Sequence, residues 1–135
     1  MKYAAKTKVP VDRSRSEIEA ILKRYGADQF GSAIDNDTHR AMVQFRCVGR
    51  IVRFEMTLPI GEQALRSQWR ALTLAIKAKL ESVASRIETF EEAFLAHVVM
   101  PNGQTFGNVA IPQIAKAVES GVMPTTLIEW KGVPQ

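Results

Sequence analysis

Residues 40–56 read RAMVQFRCVGRIVRFEM, two alternating runs that meet at Val48-Gly49. Folding the chain there sets Cys47 opposite Arg50, Phe45 opposite Val52, Val43 opposite Phe54 and Ala41 opposite Met56. One face of this hairpin is apolar. The other carries Met42, Gln44, Arg46, Ile51, Arg53 and Glu55, with Arg50 at the tip. Strict alternation is what a half-buried antiparallel pair requires, because successive side chains of a strand point to opposite faces. The outer face is basic and does not offer a neutralising partner for every arginine. It is therefore a candidate surface for an anion, above all a nucleic-acid backbone.

Upstream, residues 1–12 read as an extended lead-in, made basic by Lys2, Lys6 and Lys8 and kept out of a helix by Pro10. The first helix is predicted from Ser14, where Ser14 and Glu17 have capping-box spacing. Ile18, Ile21, Leu22 and Tyr25 share one face, and Gly26 is the stop. A strand follows over 27–34, with Phe30 and Ile34 as its apolar points, and Asp35-Asn36-Asp37-Thr38 is a turn by composition.

Downstream, Pro59, Ile60 and Gly61 break the chain. From Glu62 to Met100 an apolar stripe recurs at steps of three and four through Leu65, Trp69, Leu72, Ile76, Leu80, Val83, Ile87, Phe90, Phe94 and Val98. One helix over 62–100 would be about 58 Å long at about 1.5 Å per residue. A compact chain of this size has a radius of gyration of roughly 14 Å. The helix is therefore either broken near Ala84–Arg86, where Ser85 and Glu88 offer a second capping box, or continuous and projecting toward a partner. Val98–Met100 and Thr105-Phe106 are predicted to flank a turn at Pro101-Asn102-Gly103-Gln104. A short helix then begins at Pro112 and ends at Gly121, and the tail 122–135, with Trp130, is irregular. The predicted fold is α+β: a three-stranded antiparallel sheet packed by helices, with a long central helix and a C-terminal hairpin plus helix, in a single domain over 1–135.

The 135 residues hold 18 Lys and Arg against 14 Asp and Glu, a net charge of +4, which favours anionic partners. Hydrophobic content of 46 % is ordinary for a globular chain and allows a real core. The single Cys47 faces the apolar side of the hairpin and reads as a buried thiol without a disulfide partner. The start MKYAAKTKVP lacks the apolar run of a signal peptide, and no stretch approaches the roughly 18 apolar residues of a membrane span. The expected location is cytoplasmic.

Few residues suit catalysis. One cysteine and two distant histidines, His39 and His97, do not supply a metal site. No G-x-S-x-G, Walker or dinucleotide glycine pattern occurs. Glu88, Glu91 and Glu92 form a carboxylate cluster that reads as a solvated helix face. No enzyme activity and no cofactor are predicted.

The cations are the better signal. Arg66, Arg70 and Lys77 lie at i, i+4 and i+11 on one side of the long helix, and Arg40, Arg46, Arg50 and Arg53 belong to the hairpin. As neighbours, the two sets would line a groove suited to phosphates, which arginine grips with two donors and whose binding is driven by counterion release. Gln44 would add a neutral donor. Trp69 and Phe30 are candidate stacking residues, with Trp69 also on the core stripe.

The segments VDRSRSEIEAILKRYGADQF, VQFRCVGRIVRFEMTLP, WRALTLAIKAKLESV and FEEAFLAHVVMPNGQTFG resemble a family of small uncharacterised phage and prophage proteins, over most of residues 9–124. The resemblance implies a phage or integrated-element origin. The order of a helix, three strands and a long helix is also similar in outline to phage single-strand annealing proteins, in which a basic groove beside the hairpin holds DNA. Together these imply a nucleic-acid-binding protein of a recombination or replication module, with single-stranded DNA as ligand and a homo-oligomer or host protein as further partner. The competing expectation is a protein-interaction module that binds and redirects a host protein through the Leu65–Val98 stripe and exposed Met42 and Ile51.

Overall fold

The computed structural model describes the backbone of residues 2–125 and the side chains of residues 11–125. The element order is α1 (Lys2–Arg24), β1 (Gln29–Asp35), β2 (Arg40–Cys47), β3 (Arg50–Thr57), α2 (Glu62–Ala84), α3 (Phe90–Phe94), a 3-10 turn (Leu95–His97) and α4 (Phe106–Ser120). The three strands form one antiparallel sheet in the order β1-β2-β3. The fold is α+β, as the residue patterns require.

The hairpin register is the one its alternation dictates: Cys47 pairs Arg50, Phe45 pairs Val52, Val43 pairs Phe54 and Ala41 pairs Met56. All these apolar residues are buried, in one cluster with Ile18, Ile21 and Leu22 of α1, Trp69, Leu72, Ile76 and Leu80 of α2, and Phe90 and Phe94 of α3. Helices therefore cover one face of the sheet. Phe94 sits edge-on to both Phe45 and Phe54, at centroid distances of 5.8 and 6.2 Å. Asp35 closes the β1–β2 turn by accepting from the N–H groups of Asp37 (2.9 Å) and Thr38 (3.4 Å). These bonds hold its carboxyl below the usual carboxylate range.

Four local expectations need correction. The first helix does not begin at Ser14, and the lead-in over 1–12 is not extended: α1 runs from Lys2 through Pro10. Proline fixes φ at a helical value and costs one backbone bond and a ring clash. Burial of Val11, which continues the stripe of Ile18 and Leu22 upstream, offsets part of that cost. The long helix is broken where expected, at Ala84, with Arg86 in the left-handed region at φ 64°. The second capping box, however, is Thr89–Glu92 and not Ser85–Glu88. Glu88 is engaged instead by the Ser82 hydroxyl at 2.7 Å. Ile87 leaves the core stripe and is 77 % exposed. Finally, α4 begins before Pro112, at Phe106, because the Thr105 hydroxyl caps it by accepting from the Asn108 N–H.

Around Asn102-Gly103 the chain makes a tight return. The Gly103 N–H donates to Met100 C=O (2.8 Å), and Val99 bridges Thr105. Residues 122–125 contain neither helix nor strand; the rest of the expected irregular tail, with Trp130, lies outside the described residues.

Candidate nucleic-acid interface

The hairpin arginines are held. Arg46 grips Asp28 with two donors, Nε to Oδ1 at 3.0 Å and Nη2 to Oδ2 at 2.6 Å. Arg50 donates to Glu91 at 2.6 Å, and Arg40 pairs with Glu55 at 3.3 Å. Arg53 donates to the Gln44 side-chain oxygen (3.1 Å) and to Gly103 C=O (2.9 Å), with Glu55 at 3.6 Å. The strands supply none of Asp28, Glu91 or Gly103, so the alternation within 40–56 gives no sign of these partners. Each arginine that lacked a partner in the hairpin sequence gains one from a loop or from α3.

The second set differs. Arg66, Arg70 and Lys77 are exposed on α2 and line a cleft of about 470 Å³ against α1. Arg13 of α1 completes the wall. Among the described residues none of these four cations is in an ion pair. Among the described residues Glu17 is the one carboxylate in the lining, so there the cleft sets four cations against a single anion. Ser14 contributes a hydroxyl, while Thr73 and Leu74 complete the α2 wall. Four residues of helix rise about 6 Å, and the seven from Arg70 to Lys77 about 10.5 Å, so the α2 cations form a row and not a point.

The two basic sets are not brought together. Hairpin residues line separate hollows on the open face of the sheet, and no hairpin residue lines the α1–α2 cleft. Arg13 precedes the helix start that the sequence predicts, so helix spacing does not mark it there. Its signal is the i, i+4 spacing with Glu17, which puts both on one face once α1 extends upstream.

The aromatic candidates do not join the cleft. Trp69 is 0 % exposed and belongs to the core, with its indole N–H unpartnered among the described residues. Phe30 lies in a hollow at the sheet. The three carboxylates of the α3 region are each engaged: Glu88 by Ser82, Glu91 by Arg50, and Glu92 by the Thr89 N–H, which holds its carboxyl below the usual range. Among the described residues no group of three or more His, Cys, Asp or Glu is placed to hold a metal ion, and no helix is long and apolar enough to cross a membrane. No family model, no curated protein and no solved structure matches this chain.

Proposed function

We propose that this protein binds the phosphate backbone of a nucleic acid in the α1–α2 cleft, with single-stranded DNA of a phage-type recombination or replication module as the first ligand to test. The observation that carries the reading is the set of four cations, Arg13, Arg66, Arg70 and Lys77, that line one cleft with one carboxylate among the described residues. Like charges gathered on two packed helices cost folding energy and are relieved by an anion, and phosphate suits arginine's planar donors. A cleft walled by two helices takes one backbone, which a single strand presents without a second strand to accommodate. Among the described residues no aromatic lines the cleft, which favours base-independent binding, because stacking platforms need an exposed ring. The hairpin arginines Arg40, Arg46, Arg50 and Arg53, with Gln44, are secondary in this reading: a phosphate must first displace a bonded partner.

The test is fluorescence anisotropy of a labelled single strand at about 50 and about 200 mM salt, where phosphate contacts dominate the salt dependence. Duplex and a strand of different sequence serve as competitors. The expected result is salt-sensitive binding, indifferent to sequence, that is lost in Arg66→Gln/Arg70→Gln/Lys77→Gln. Absence of binding at the lower salt, or full binding by the triple variant, would overturn the reading.

One observation favours a protein partner instead. Ile111, Ile114 and Val118 form an exposed stripe on α4 at 59, 45 and 79 % exposure. The Leu65–Val98 stripe does not serve that role, since Trp69, Leu72, Ile76, Leu80, Phe90 and Phe94 are spent on the core. Salt-insensitive capture of one partner that Ile114→Glu abolishes would favour this second reading.

A further inference from the structure

The sheet has two edges, and they are treated differently. At β3, Val98 bridges Val52 and the Val99 N–H donates to Ile51 C=O at 2.8 Å, so part of that edge is covered. At β1, no strand or bridge among the described residues pairs with the outer side. In an antiparallel strand, alternate residues send their N–H and C=O groups to opposite sides, so half of those of β1 face away from β2. β1 reads QFGSAID. It has no lysine, no proline and no bulge, the devices that discourage edge pairing. Its one charge, Asp35, is engaged with its own turn. Only Phe30 and Ser32 of the seven residues are less than exposed.

We infer that β1 pairs antiparallel with β1 of a second copy of this chain, about a two-fold axis at Ser32, joining two three-stranded sheets into one. The segment is complementary to itself in that register. Phe30 falls opposite Ile34 of the second copy on the helix-covered side, and this happens twice by symmetry. Both are large apolar residues that the single chain leaves incompletely covered, Ile34 at 38 % exposure. On the open side Gly31 falls opposite Ala33, so small residues meet where strands must approach. Gln29 falls opposite Asp35. All seven residues pair, and a slip by one residue would put Phe30 against the opposite face of the second copy. The contact is isologous and closes at two copies, as a two-fold interface must. Main-chain bonds supply the attraction and the alternating side chains the register, the logic of strand addition. The axis is perpendicular to the sheet, so both helical layers lie on one side. The inference stands without the nucleic-acid reading.

The experiment is sedimentation equilibrium of the full chain over a wide concentration range, with two variants chosen for the register. Gly31→Lys/Ala33→Lys sets lysine against lysine at both symmetric positions. Gly31→Lys/Ala33→Glu sets lysine against glutamate at the same positions. Both changes lie on the open face, where a Cβ at Gly31 meets nothing within 4 Å. The expected result is a concentration-dependent dimer for the unsubstituted chain, loss of dimer with the two lysines, and its return with the lysine–glutamate pair. A monomer at every concentration overturns the inference. So does a dimer that ignores both variants, or one that Ile114→Glu abolishes, which would move the interface to α4. Hydrogen exchange supplies a measurement free of substitutions: amides of β1 should gain protection as concentration rises, and equal exchange in dimer and monomer overturns the pairing.

Discussion

Arg46 and Asp28 face each other across the end of the sheet in a two-bond ion pair, with contacts of 3.0 and 2.6 Å. The pair ties the β1 approach to β2, beside the Asp28 N–H that donates to Arg46 C=O at 3.0 Å. The arginine's hydrogen bonds hold the Asp28 carboxyl below its ordinary value of 3.8. A depressed carboxylate gives stability that is present above its unfolded value and lost as pH falls through its folded value. Asp28→Asn should therefore be less stable than the parent at about pH 7, with the difference vanishing toward about pH 2. Urea denaturation at both ends checks it. Both side chains are exposed, so the difference is small. The same pair bears on function: Arg46→Gln should bind oligonucleotide nearly as well as the parent, while Arg70→Gln should bind several-fold more weakly. Equal losses would return the hairpin to the interface.

Val48 stands at φ 55° and Gly49 at φ 71°, the positive pair that a two-residue hairpin turn of the Asn-Gly kind uses. A β-branched residue is strained there, by roughly 1–2 kcal/mol for the left-handed region. Its side chain is 68 % exposed, so little packing offsets that strain. Val48→Asn should raise unfolding stability by about 1 kcal/mol, the asparagine tolerating the left-handed region. A urea midpoint unchanged or lowered would mean that the turn relaxes in another way.

The same two residues show what a sequence discloses. Alternation over 40–56 decides the register without help, because one face must be buried and a slip of one residue would expose it. The Cys47 thiol illustrates this: it lies buried, its Sγ 3.6 Å from Tyr25 C=O, and burial pushes its pKa up. What alternation does not contain is the source of the counter-charges. Arg50 meets Glu91 from 41 residues away and Arg46 meets Asp28 from 18 away, distances over which only the finished topology decides. Arg13 was hidden for a different reason. Its face depends on a helix passing through Pro10, and local propensity reads that proline as a boundary.

Gly107 brings α4 close against the backbone of Ala96. A Cβ there would lie 2.8 Å from the Ala96 carbonyl oxygen, a backbone atom that does not swing aside. Gly107 and Ala110 are the two residues that α4 buries, and α4 packs against the 3-10 turn that carries Ala96. Overpacking of this kind costs typically 1–3 kcal/mol. Gly107→Ala should therefore loosen α4 from the 3-10 turn, seen as faster amide exchange over 106–120, with the hairpin amides unchanged. Slow exchange throughout α4 would show that the turn yields without cost.

His97 stacks on Phe54, with ring centroids 4.1 Å apart and planes 21° from parallel. Burial first, then the nearby Lys79 charge, lowers its pKa from the ordinary 6.5, against an opposing hydrogen bond with the Arg53 backbone. The fold therefore keeps the ring neutral at a pH where the unfolded chain takes up a proton. Stability conferred by this histidine is present above 6.5 and is lost as pH falls from that value toward the folded one. The urea midpoint of the parent should drop between about pH 7.5 and about pH 5.5, a window above the range in which carboxylates titrate. His97→Phe keeps an aromatic ring against Phe54 and removes the titration, so its midpoint should stay nearly level across the same window. Because Lys79 also donates to Ala93 C=O at 2.9 Å, its charge is fixed near the ring, and Lys79→Met should reduce the parent's drop without abolishing it. A parallel fall in parent and His97→Phe would assign the pH dependence to another group.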